Sequence, residues 1–241
     1  MKKRISLFLL PIIALFFSCQ DNSGDFAEQL FTNTEITAAL QLCLDSAALH
    51  TCNILCVVDT VNEKLGYSYY DSKSYRIALP AAAKSVVDTL AEEYSERIDS
   101  LINNINRAAE QCGNQIMIRF WKALADSIVF PNPYATLHGG NSAITDYVKQ
   151  IKEKEFIAVL INSVLIDHFT DLDVIKTWNE LQKIYTDKTG IYSSVDILTP
   201  AAQQMVTGFF KQMALQEEAI REKPALQGNS TGLLRRVFAT L

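Results

Sequence analysis

Between residues 32 and 238 the apolar positions recur every three or four residues, and nowhere do they alternate over a length that would make a strand. Thr32-Asn33-Thr34-Glu35 has the form of a capping box. It opens a segment rich in Ala, Leu and Ile that predicts a helix to about Lys64, with an irregularity near His50 and Gly66 ending it. Tyr67, Tyr69, Tyr70 and Tyr75 then make an aromatic loop, read as tyrosines lying over the bundle or as the lip of a groove. Pro80 suits the first position of a helix to about Glu93, and Ser95 can cap the next, to about Gln111. Ile98, Leu101, Ile102, Ile105, Ala108, Ala109 and Cys112 share one stripe of that second helix.

Gly113 predicts a break before a helix over 116–128, and Asn132-Pro133 caps a short helix stopping at Gly139. A further helix begins at Ser142 and leads into the apolar run 156–166, whose eleven residues are too few to span a membrane and read as a buried core segment. Helices over 172–185 and 199–222 follow, the latter with Thr199-Pro200 as cap and first-turn proline. A terminal amphipathic helix carries Leu233, Leu234, Val237 and Phe238. The fold class is therefore all-α: a single-domain bundle of about seven to nine helices. The low count of punctuating residues, 9 Gly and 6 Pro in 241, agrees with it.

The beginning of the chain has a different character. Met1-Lys2-Lys3-Arg4 is a basic start, Ile5 to Phe17 is a thirteen-residue apolar run, and Ser18-Cys19 follows. The run is short for a bilayer and reads as a secretion signal. A small residue before a cysteine in this place resembles the lipobox of bacterial lipoproteins, although Phe16 stands where a leucine is usual. The resemblance implies cleavage before Cys19 and acylation of its thiol. Residues 1–18 are then a signal peptide, 19–33 a lipidated cysteine with a polar tether, and 34–241 the helical domain. The expected place is the bacterial cell envelope, at either membrane. Removal of the leader takes away Lys2, Lys3 and Arg4, leaving 19 basic against 27 acidic side chains. Such a domain gains nothing from phosphate backbones, which argues against nucleic acid as a partner.

Four further cysteines, Cys43, Cys52, Cys56 and Cys112, allow three pairings; buried thiols are expected, with a strained Cys52–Cys56 bridge as an alternative. No ligand pattern indicates a metal or a cofactor.

The densest polar stretch is His138 to Tyr147. A glycine C-cap followed by an Asn141 or Ser142 N-cap accounts for its composition. The functional alternatives are anion binding at the helix start, with Gly140 allowing close approach, and acid–base work by His138 and Asp146. No cation stands nearby until Lys149. On the 95–111 helix Asn106 lies at the edge of the apolar stripe. On the 199–222 helix Glu217 and Arg221 lie at the margin of the stripe made by Met205, Val206, Phe209, Phe210, Met213 and Ile220. A carboxylate there requires a partner. Arg221 is available at i+4, and pairings of Arg107 with Glu217 and of Glu110 with Arg221 across helices are a second solution. Asn106, Arg107, Glu110, Thr145, Tyr147, Glu217 and Arg221 thus form the candidate polar cluster, structural or ligand-binding.

Arg76-Ile77-Ala78-Leu79-Pro80, Asn106-Arg107-Ala108-Ala109-Glu110, Gly139-Gly140 with Ala143-Ile144-Thr145-Asp146-Tyr147, Glu217-Glu218-Ala219-Ile220-Arg221 and Leu233-Leu234-Arg235-Arg236-Val237-Phe238 occur in this order. Together they resemble the bacterial family called domain of unknown function 4197, across roughly residues 34 to 239. The extra cysteines and Phe130-Pro131-Asn132-Pro133 depart from it. The resemblance implies an exported, mainly helical domain and assigns no activity. Two functions remain open. One is an envelope-anchored binding or structural module for a protein partner or an apolar small molecule. The other is an envelope hydrolase or lyase using Arg107, Glu110, Glu217 and Arg221, which demands that they converge on an open pocket.

Overall fold

A computed structural model describes residues 31–56, 66–68, 75–113, 118–223 and 232–241, apart from the side chains of 118–120. Cys19 and the tether lie outside these residues, as do Tyr69, Tyr70 and the predicted end of the first helix near Lys64. Every regular element among the described residues is helical, and they contain no strand. In chain order the helices are α1 (Asn33–Leu55), α2 (Lys84–Cys112), α3 (Ile118–Asp126), α4 (Pro133–Leu137), α5 (Ala143–Leu160), α6 (Ile166–Asp171), α7 (Val174–Thr189), α8 (Leu198–Glu222) and α9 (Gly232–Phe238).

Local chemistry sets most boundaries. The capping box at Thr32 forms as expected: Glu35 N–H donates to Thr32 Oγ1 at 3.2 Å, and Thr32 N–H donates to Glu35 Oε2 at 2.9 Å. Helix α1 runs through His50 without a break and ends at Leu55. The two helices expected over 80–111 are present, joined end to end across a kink at Tyr94, whose φ −129° and ψ 20° are not helical, one residue before the expected cap. Asn132 Oδ1 caps α4 from Ala135 N–H at 3.0 Å. Helix α8 starts before Thr199: its N-cap is Ile197, which makes no side-chain cap bond, and Asp196 Oδ1, one residue earlier, accepts from Leu198 N–H at 2.8 Å. Gly190 ends α7 at φ 73°, in the left-handed region where a Cβ is disfavoured. The 156–166 run is less buried than expected. Phe156, Leu160, Val164 and Leu165 face inward while Asn162 and Ser163 are exposed, and a π-helical stretch (Ile161–Leu165) turns the apolar face. Among the described residues no helix is long and apolar enough to cross a membrane.

Helices α1 and α8 form the centre of the bundle. Helix α1 packs on α8, α9, α3 and α4; α5 packs on α8; α2 packs against α6 and α7. The two central helices run in opposite directions. The first half of α1 places Cys43 in the field of Glu217 and Arg221, and Tyr67, beyond its end, donates to Met205 O at 2.7 Å. Between α3, α5 and α8 the rings of Trp121, Phe156, Phe209 and Phe210 meet at 5.5–6.3 Å, edge-on or tilted, the separation at which aromatic quadrupoles attract.

Candidate functional site

The polar cluster resolves into three separate devices. The first is the corner between α4 and α5, which α8 holds together. The first amides of α5 have no partners within their own helix. Ala143 N–H turns back to Gly140 O at 3.0 Å and Asp146 N–H to Ser142 O at 2.8 Å. The two between them, Ile144 and Thr145, donate to the two carboxylate oxygens of Glu217 at 3.0 and 2.7 Å. Arg221, one turn along α8, donates through Nε to Glu217 Oε1 at 2.8 Å. Its Nη1 and Nη2 donate to the carbonyls of Leu137 and Thr136, at the end of α4, at 2.7 and 3.3 Å. One ion pair therefore satisfies the donors that open one helix and the acceptors that close another. Both signs suit the helix dipoles. Glu217 and Arg221 are 1% and 9% exposed. The Phe238 ring covers the guanidinium at 5.4 Å, which ties α9 to the same corner.

The glycine C-cap and local N-cap expected here are corrected by this geometry. His138 ends α4 with φ −87° and its ring lies on Tyr134, while Ser142 makes no cap bond and donates instead to Asp146 Oδ2 at 2.8 Å. Gly139 is needed for proximity rather than conformation: a Cβ there would stand 2.6 Å from Ala143 Cβ. Around Gly140 nothing lies within 4 Å. The helix start does bind an anion, but the anion is the protein's own carboxylate. His138 and Asp146 have separate partners and make no acid–base pair. Tyr147 is turned away from Glu217; it stacks on Phe130 and donates to Val129 O at 2.7 Å. Thr145 Oγ1 is buried and has no hydrogen-bond partner among the described residues.

The second device is Asn106. Fully buried on α2, it treats the extended segment before α2 as a sheet partner would: Ile77 N–H donates to its Oδ1 at 2.7 Å, and its Nδ2 donates to Ile77 O at 2.9 Å. From α8, Gln204 does the same for the next residue, with Ala78 N–H to Oε1 at 3.0 Å and Nε2 to Ala78 O at 2.9 Å. Successive residues of an extended chain point their amides to opposite sides, so two helices hold one strand-like segment by side-chain amides alone. Sequence reasoning missed Gln204, a glutamine beside an apolar stripe with nothing local to mark it.

The third device is Glu110, which accepts from Ser68 Oγ. Burial raises its carboxyl above the ordinary value, against the lowering effect of Ser68 and Arg107. Arg107 is exposed. The cross-pairings of Arg107 with Glu217 and of Glu110 with Arg221 do not occur, because Glu217 and Arg221 satisfy each other within one turn of α8. Cys43, Cys52, Cys56 and Cys112 are free and buried, so the Cys52–Cys56 bridge is not formed. Burial pushes the thiols of Cys43 and Cys112 up, the latter to about 12. Among the described residues no group of His, Cys, Asp and Glu could hold a metal ion.

The family described as Protein of unknown function (DUF4197) matches residues 31–239. The chain belongs to it. The match to DUF4197 spans every helix described above, and within it segments far apart in sequence converge: the Gly139–Tyr147 segment meets Glu217–Arg221 at the corner, Phe238 covers it, and Arg76–Pro80 meets Asn106 at the clamp. No curated protein and no solved structure matches the chain.

Proposed function

We propose that this DUF4197 protein is a lipid-anchored cell-envelope protein whose helical domain works by binding rather than by catalysis. One observation carries the second half of the reading. The charged side chains best placed for chemistry, Glu217 and Arg221, are spent on backbone groups of α4 and α5 and closed to solvent. A hydrolase or lyase built on Arg107, Glu110, Glu217 and Arg221 would need all four around one pocket. They stand apart: Arg107 is exposed, Glu110 accepts from Ser68, and Glu217 and Arg221 are engaged with each other and with backbone groups of α4 and α5. The anchor rests on the basic start, the short apolar run and Ser18-Cys19. Several acyl chains on one cysteine hold a protein to a bilayer firmly, at roughly 0.8 kcal/mol per buried methylene.

Cys19→Ser tests the anchor: acyl labelling is lost and the protein moves from the membrane fraction to the soluble one. Retention on membranes with no acyl label on the native protein refutes it. For the binding role, the delipidated protein is passed through envelope extracts. A specific co-purifying protein or lipid is expected, and recovery of neither refutes it.

A further inference from the structure

From Ser127 to Thr145 the chain carries no Asp, Glu, Lys or Arg, although 20% of all its residues are charged. Much of this stretch faces outward. Val129 is 73% exposed and Tyr134 44%, Pro131, Asn132 and Gly139 are exposed with them, and the Tyr134 ring stacks on that of His138 at 4.3 Å. The link after α3 and the outer side of α4 thus present apolar and aromatic side chains with no fixed charge among them; Asp126 and Asp146 bound the stretch in sequence. Loss of charge together with exposed aromatic rings is the composition of a contact surface, not of a solvated one.

This face adjoins the place where the tether enters the domain. Asn33 borders a shallow hollow with Phe130, Pro131 and Pro133. Phe31 lies under the Arg236 guanidinium at 5.7 Å, and Arg235 and Arg236 are both exposed. The carboxylate in the field of Arg236, that of Glu35, is taken up by Thr32 N–H and Oγ1, at 2.9 Å each. With the acyl chains on Cys19, residues 20–31 reach at most about 40 Å when fully extended. The bilayer then lies within reach of this end of the bundle, while the other end of α1, 23 residues long, is roughly 33 Å away. Arginine grips phosphate oxygens with paired N–H donors. Tyrosine, apolar in its body and polar at its tip, suits the headgroup level of a bilayer. The tether makes the contact intramolecular, so a weak affinity is enough to hold it.

We propose that this face docks the domain onto the phospholipid bilayer that holds its anchor, with Val129 and Tyr134 among the headgroups and Arg235 and Arg236 on lipid phosphates. The proposal rests on the anchor argued above and adds an orientation to it. The start of α1, α4 and α9 lie toward the membrane. The link between α7 and α8 points away, since Tyr67, beyond the end of α1, meets α8 at Met205.

The test uses the full acylated chain reconstituted into vesicles of phosphatidylethanolamine and phosphatidylglycerol, brominated on the upper acyl carbons. Trp121 and Trp178 are buried and supply a background. Tyr134→Trp adds a reporter on the face, and Tyr192→Trp, at a position 80% exposed before α8, adds one at the opposite end. Brominated lipid should quench the emission added by Tyr134→Trp at least about twofold more than that added by Tyr192→Trp. Combined with Tyr134→Trp, Val129→Glu and Arg235→Glu, both at exposed positions, should each cut that quenching by about half or more; an unchanged melting curve shows that the fold is kept. Equal quenching at the two ends, no quenching at either, or undiminished quenching in both charge variants overturns the proposal. No quenching together with a cross-link from position 134 to an envelope protein assigns the face to that protein instead. When any of these results is obtained with acyl label still on Cys19, the anchor stands and the docking alone falls; a native chain without acyl label loses both.

Discussion

The corner between α4 and α5 distinguishes two accounts of a buried ion pair by experiment. If Glu217 and Arg221 matter only to each other, replacing both with apolar residues of similar volume is close to neutral, whereas removing one leaves an uncompensated charge and costs roughly 3–5 kcal/mol. If they matter as caps, removing both also leaves backbone groups of two helices without partners. Glu217→Leu/Arg221→Met deprives Ile144 N–H, Thr145 N–H and Leu137 O of their acceptors and donor. Thr136 O keeps the Gly139 N–H at 3.3 Å. Ser142 can swing from Asp146 and recover one amide. One amide and one carbonyl then remain unpaired, at roughly 1–3 kcal/mol each. The double variant is expected roughly 2–6 kcal/mol below wild type, and Glu217→Gln and Arg221→Met each about 3–5 kcal/mol below it. Urea unfolding followed by far-UV circular dichroism measures all four. A double variant within about 1 kcal/mol of wild type would refute the capping account.

Other consequences follow from the same contacts. Gly139→Ala drives a Cβ to 2.6 Å from Ala143 Cβ and should cost roughly 1–3 kcal/mol. Gly140→Ala, with open space around it, should stay within about 0.5 kcal/mol of wild type in the same unfolding assay. Asn106→Ala strips Ile77 of both backbone partners and should lower stability by roughly 2–4 kcal/mol; Gln204→Ala, whose bonds to Ala78 are exposed, should cost under about 1 kcal/mol. Glu110 sits above its ordinary value of 4.5 chiefly through desolvation. The folded state therefore holds that proton more tightly than the unfolded chain, and the stabilisation, complete below 4.5, is lost as pH rises through the folded value. Glu110→Gln removes this loss: its melting temperature should exceed that of wild type at neutral pH and converge on it in acid, and a gap independent of pH counts against the assignment. Buried, protonated thiols at Cys43 and Cys112 should resist alkylation in the native protein and react once it is unfolded in urea.

The helices were legible because their signals are local. A threonine three residues before a glutamate, an Asn-Pro pair and an apolar residue every third or fourth position are all read within one turn, and they placed α1, α4, α8 and the stripe of α2. The break expected between Glu93 and Ser95 was legible too, and it falls at Tyr94, where α2 kinks out of helical geometry. The candidate site was legible only as a set of residues. That Glu217 needs a partner follows from its place on the helix face, and its i+4 neighbour supplied one. That the pair also serves Ile144, Thr145, Leu137 and Thr136, seventy to eighty-five positions away in sequence, depends on how α8 crosses the α4–α5 turn, which no periodicity encodes.

The crowding of polar residues at 138–147 therefore pointed to the right place for the wrong reason. His138, Asn141, Ser142 and Asp146 resemble a self-sufficient pair of caps, yet Asn141 donates to Glu218, Ser142 to Asp146, and the amides that need capping wait for α8. A corner capped from a distant helix forms only when that helix has docked, so its stability is joined to the tertiary fold rather than to either short helix. With five residues, α4 cannot persist alone. Arg221 at its carbonyls and Phe238 over Arg221 make its folding conditional on α8 and α9 together. This explains why segments far apart in sequence touch at one corner, and it assigns the most polar stretch of the domain to assembling the bundle.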